Sequence, residues 1–112
     1  MNELKTELYQ RFVKYASVDT TSDPTQKTTP TTSSQMMFAK MLADEMPSAG
    51  FTDVEMDEYG FVTATIEANT DKPAPTVGFF AHMDTVCDFN GKGITPILHE
   101  NYQGGNVVIN KS

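Results

Sequence analysis

Two side chains that can share a proton or a metal ion stand two residues apart in the run His82-Met83-Asp84-Thr85-Val86. They follow an uninterrupted apolar stretch, Val77-Gly78-Phe79-Phe80-Ala81. Strand side chains alternate faces, so residues i and i+2 point the same way while the backbone stays extended. A neutral imidazole can give one ring nitrogen to a metal, and the N–H of the other then needs an acceptor. A neighbouring carboxylate supplies it and fixes tautomer and angle. In open α/β sheets, ligands sit where strands end.

These residues alone leave the chemistry open. A lone histidine is more often a surface or satisfied core residue, and His-x-Asp is a weak signal. A zinc site takes three or four protein ligands. The other candidates are His99, Cys87, Asp88 and scattered carboxylates, and none stands at ligand spacing from His82. His99 lies in a polar, surface-like stretch. Cys87 is expected to be a small buried thiol rather than a nucleophile. No phosphate-binding glycine loop, nucleophile elbow or acid pair at catalytic spacing is present.

The elements that must position the pair are legible as periodicities. Leu4, Leu8, Phe12 and Tyr15 recur at helical spacing, which predicts an amphipathic helix over residues 3–15. A Thr/Ser/Pro-rich connection follows, and a long irregular loop of this kind is often functional or mobile. Thr32-Ser33-Ser34-Gln35 has capping-box spacing and predicts the start of a second helix. Phe38, Met41, Leu42 and Met46 mark its face, and Pro47 and Gly50 its end. The cluster Met36, Met37, Met41 and Met46 reads as core filler. Residues 52–57 and 62–67 alternate about a turn at Glu58-Tyr59-Gly60, which predicts a hairpin with one buried face. Residues 76–81 read as a central, buried strand, and residues 106–109 as the start of another. The expected fold is α/β, with two helices flanking a mixed sheet that includes the hairpin and the apolar strand.

Composition narrows the partners. The chain has 112 residues, enough for one small domain, with a formal net charge of −7. Its eight Lys and Arg are scattered, so no basic stripe exists for nucleic acid. The single cysteine excludes an intrachain disulfide and fits a reducing compartment. No apolar run approaches a membrane span and no leader is visible, so a soluble cytoplasmic protein is expected.

Longer stretches carry a resemblance. They are Phe12-Val13-Lys14-Tyr15, Asp19-Thr20-Thr21-Ser22-Asp23-Pro24, Thr29-Pro30-Thr31-Thr32, Gln35-Met36-Met37-Phe38-Ala39, Asp57-Glu58-Tyr59-Gly60 and, above all, residues 77–85. Nearly end to end, the chain resembles the N-terminal part of the co-catalytic dizinc exopeptidases. That family includes carboxypeptidase G-like enzymes, aminoacylase and succinyl-diaminopimelate desuccinylase. The Asp-Thr-Thr-Ser-Asp-Pro segment and the Ala-His-Met-Asp-Thr context together resemble an aminopeptidase branch acting on tripeptides.

The resemblance implies that His82 is a ligand of one of two zinc ions. It implies that Asp84 orients that imidazole and counts as catalytic. The family's other metal ligands and its general base lie in a Gly-Ala-Asp-Asp-like segment, a Glu-Glu pair, a further acid and a distant His. Neither the Gly-Ala-Asp-Asp segment nor the Glu-Glu pair occurs in these residues. Residues 1–112 would thus be the N-terminal portion of a catalytic domain. The rest of that domain and a smaller lid or dimerisation domain would lie outside it. The intact protein would act on short peptides, as a homodimer if it follows the family. The 112 residues alone would be inactive and would not hold zinc stably. Three alternatives remain open: a deacylase of the same family, a non-catalytic α/β module that binds peptides or proteins, and a poorly folding pseudo-enzyme remnant.

Overall fold

Gln35 explains why the second helix starts where it does. In the computed structural model, which describes residues 3–109, its side-chain oxygen accepts from the backbone N–H of Thr31 at 3.0 Å and of Thr32 at 3.3 Å. The chain enters extended at Thr32, and helix α2 runs Ser33–Glu45. Pro47 opens a short 3-10 turn, Met46–Ala49, and Gly50 closes it at φ 90°, where a residue without Cβ is unstrained. Both the start and the stop agree with the expectation from sequence.

The small core lies on one side of α2. Phe38 and Ala39 are buried, and α2 packs on an antiparallel pair, β1 (Thr52–Met56) and β2 (Val62–Thr65). Val54, Val62 and Ala64 form the half-buried face of this hairpin, while Met56 and Ile66 lie outside it. A register shift between Thr52 and Glu55 coincides with Asp53 at φ 48°. At the other end Asp57 builds the turn, its carboxylate accepting from the N–H of Tyr59 and of Phe61, both at 2.9 Å. Gly60, at φ 82°, brings the turn against α2: a Cβ there would sit 3.7 Å from the Ala39 Cβ.

Helix α1, Glu3–Ala16, forms as predicted, and Arg11, Lys14 and Tyr15 in its second half dock it on α2. Tyr15 meets Phe38 edge to face, with ring centroids 5.6 Å apart. Its hydroxyl donates to Glu45 Oε1 at 3.1 Å, Arg11 Nε lies 3.3 Å from the same oxygen, and Lys14 pairs with Glu45 Oε2. Leu4, Leu8 and Phe12 are exposed, contrary to the expected buried stripe. Met37 is likewise exposed, so the methionine cluster is only partly core.

The main correction concerns residues 76–81. They form no strand, and Phe79 and Phe80 are 93% and 99% exposed. A central strand needs a hydrogen-bonded neighbour on each side, and within the described residues β1 and β2 pair only with each other. Residues 106–109 form no strand for the same lack of a partner. The mixed sheet is therefore absent among the described residues, and what stands is two helices with a two-stranded antiparallel hairpin. Cys87 is exposed, not buried, because the segment after Asp84 leaves the core. No helix of the described residues is long and apolar enough to cross a membrane.

Candidate functional site

The backbone first brings two distant segments together. Thr21 and Thr85 form a parallel bridge: Ser22 N donates to Thr85 O at 2.9 Å, and Thr85 N donates to Thr20 O at 3.1 Å. Gln35 secures the first segment from α2. Its Nε2 donates to the carbonyl of Thr20 at 3.2 Å, while Thr32 Oγ1 donates to the carbonyl of Thr21 at 3.2 Å. Thr20 and Gln35 are both buried, so this polar knot is a fixed support.

His82 and Asp84 stand beside that bridge. His82 Nδ1 lies 3.0 Å from Asp84 Oδ1 and 2.9 Å from the Asp84 carbonyl. The two side chains share a side, as i and i+2 spacing predicts, although no ladder holds them. Ser22 Oγ donates to the other carboxylate oxygen, Asp84 Oδ2, at 2.7 Å. This hydroxyl, and after it the imidazole, hold the Asp84 carboxyl below the usual carboxylate range. The carboxylate is thus an acceptor on both oxygens. Nδ1 is the ring nitrogen placed to donate, and Nε2 is left without a hydrogen bond among the described residues. The His82 side chain is 84% exposed, so Nε2 can be reached from outside.

A second carboxylate steadies the approach to Ser22. Asp19 accepts from the N–H of Thr21 at 3.0 Å and from its hydroxyl at 2.6 Å. These two bonds keep the Asp19 carboxyl below its ordinary range. The loop at Gly91 passes over this pair so closely that a Cβ there would lie 2.7 Å from Asp19 Oδ1, and nearer still to the Thr21 hydroxyl.

His82 and Asp84 open onto a cavity of about 290 Å³. The Thr/Ser-rich loop forms one wall, with Thr29, Pro30 and Thr31, and the hairpin turn forms another, with Tyr59 and Phe61. The volume is at the small end of ligand clefts. The remaining metal-ligand candidates do not gather here. No group of three His, Cys, Asp or Glu side chains able to hold a metal exists among the described residues. His99 lines a separate cavity with Thr95 and Pro96. The residues present fit one corner of a zinc site: an imidazole with its inner nitrogen anchored and its outer nitrogen open.

Ser22 and Gln35 were not singled out as site residues by sequence reasoning. Each stood inside a segment noted for another reason, Ser22 in the polar connection and Gln35 in the capping box. The contact between Ser22 and Asp84 spans 62 positions, which no local pattern reports.

The peptidase class that the motifs resemble is met again in the names of the chain's relatives. Curated proteins named peptidase T match it closely. That of Bacillus pumilus (strain SAFR-032) is 50% identical over 108 residues, which is 96% of this chain and 26% of the relative. Those of Bacillus velezensis (strain DSM 23117 / BGSC 10A6 / LMG 26770 / FZB42) and Geobacillus kaustophilus (strain HTA426) are 49% and 48% identical, each with 96% of this chain and 26% of the relative covered. The chain spans about a quarter of the length of these relatives. It is homologous to that share of a peptidase T, as its motifs imply. No family model matches it.

Proposed function

We propose that the protein carrying these residues is a zinc-dependent aminopeptidase that releases the N-terminal residue of tripeptides. One observation carries the site assignment. His82 offers an open Nε2 beside a cavity while Asp84 holds its Nδ1. The relatives named peptidase T support the peptidase reading, and the family resemblance supplies the tripeptide preference and the second zinc ion.

In this reading His82 is the metal ligand and Asp84 is its orienting acid. When bound, a zinc pair would polarise the scissile carbonyl and lower the pKa of water. The chain's own residues do the rest of what is visible. Asp84 accepts from Nδ1 and so leaves Nε2 as the nitrogen open to a metal. Tyr59 and Phe61 give the cavity an apolar wall beside the imidazole. The general base and the other ligands come from polypeptide outside these residues, together with a lid or dimerisation domain. The 112 residues alone therefore do not hydrolyse peptides.

The test is tripeptide hydrolysis by the full gene product, before and after chelation and after zinc is restored. Loss and recovery of activity support the reading. Full activity in strictly metal-free protein refutes it. The 112-residue chain assayed with added zinc should show no turnover, and turnover that disappears in His82→Ala would overturn the inactivity of the isolated piece.

A further inference from the structure

Asp84 is half exposed, and its contact with His82 uses only one of its two oxygens. One such contact leaves the carboxylate free to turn about its last torsion, with water competing for the vacated position. An orienting acid that turns does not orient. The structure contains a second anchor, Ser22 Oγ, 2.7 Å from Asp84 Oδ2. We propose that Ser22 is a positioning residue for the His82–Asp84 pair, with Gln35 steadying its hydroxyl. The proposal rests on the assignment of His82 and Asp84 given above.

Three features make Ser22 more than a chance neighbour. Its main chain is tied to the strand-like segment that bears Asp84, because Ser22 N donates to Thr85 O and Thr85 N to Thr20 O. The Ser22 backbone therefore cannot move away from the segment that bears the carboxylate without breaking the bridge. The single proton of the hydroxyl is committed to Asp84, and its lone pairs face Gln35 Nε2 at 3.4 Å. The Gln35 amide cannot turn over, since its oxygen is taken by the N–H groups of Thr31 and Thr32 and by the Thr31 hydroxyl at 3.2 Å. The result is two lines of donation that converge on the Asp84 carboxylate: Gln35 amide to Ser22 hydroxyl to Oδ2 from the first turn of α2, and the His82 ring to Oδ1 from the other side. The neighbouring Thr21 hydroxyl is unavailable for the task because Asp19 holds it.

The experiment compares wild type, Ser22→Ala and Ser22→Thr in the full gene product. Ring nitrogen-15 shifts of His82 are read in metal-free protein, assigned with His82→Gln, and kcat and KM are read in zinc-loaded protein. In wild type the shifts should report a proton on Nδ1. In Ser22→Ala they should move toward a mixture of the two tautomers. Its kcat should fall about tenfold, the low end of what outer-shell partners contribute, with KM unchanged. Ser22→Thr, which keeps the hydroxyl, should restore both readouts. Ser22→Ala shifts that superimpose on wild type, an unchanged kcat, or failure of Ser22→Thr to restore the shifts would each overturn the proposal. If wild-type hydrolysis survives chelation, the zinc reading has failed. The ring-nitrogen comparison, made without metal, still decides for or against Ser22.

Discussion

Asp84 meets three demands that pull in one direction. It accepts from Ser22, accepts from the imidazole and stays ionised, and each of these favours the others. Asp84→Ala in the full gene product should lower tripeptide hydrolysis by about tenfold or more. A smaller loss would remove Asp84 from the orienting role. Gly91 makes a second residue-scale prediction. A Cβ there would crowd the Asp19 carboxylate and the Thr21 hydroxyl, so these side chains or the loop must shift. Gly91→Ala should disturb the Asp19–Thr21 hydrogen bond or lift the loop, and destabilise the protein by about 0.5–1.5 kcal/mol, the usual net worth of one hydrogen bond. A thermal midpoint equal to wild type would show that the loop is looser than the geometry implies. The His82–Asp84 pair was readable from sequence because its members are two positions apart. Ser22 was not, because hydroxyl-to-carboxylate contacts across 62 positions depend on how the chain folds back.

At the scale of elements, α2 is the organiser. One amide, that of Gln35, caps its helix, holds Thr20 and steadies Ser22. Gln35→Ala should cost about 1–3 kcal/mol through the buried groups left unpaired, measured by urea unfolding of the full gene product. Its cost should exceed that of Lys40→Ala, which removes only an exposed pair with Asp44. Helix α1 is attached through Glu45, whose carboxyl is held below its usual range by the Lys14 hydrogen bond, with Tyr15 adding to it. A carboxyl depressed in the folded state favours folding above its ordinary pKa. That contribution fades as pH falls through the depressed value. Docking of α1 should therefore weaken on acidification below the normal carboxylate range. Glu45→Gln should flatten that dependence, as read by amide exchange in α1. Caps, turns and the hairpin alternation were legible because their causes are local: Thr32 with Gln35, Pro47 with Gly50, Asp57 with Gly60. The apolar run at 76–81 was legible as extended and apolar, but not as unpaired. A strand's partners are written elsewhere in a sequence, and in the described residues they do not occur.

The whole molecule carries more surface than its mass requires. A compact protein of 12.4 kDa exposes about 6,100 Å², and this chain exposes 9645 Å². Its radius of gyration is 17.5 Å, against about 13 Å for a compact chain of roughly this length. Large apolar side chains stand exposed after residue 76, Val77, Phe79, Phe80 and Phe89 among them. In the proposed reading, the further polypeptide of a peptidase T-like protein covers this surface and pairs with residues 77–81. Amides of those residues should exchange almost without protection in the isolated 112-residue chain and become protected in the full gene product. Protection already present in the isolated chain would mean that the segment finds its partners within it. The same reading requires that His82 hold metal only with ligands supplied from beyond these residues. The most direct measurement is the zinc content of the purified full gene product beside its His82→Ala variant. Two zinc ions per chain in wild type, with one or none and no tripeptide hydrolysis in the variant, is the predicted result. Two zinc ions retained in His82→Ala would contradict it.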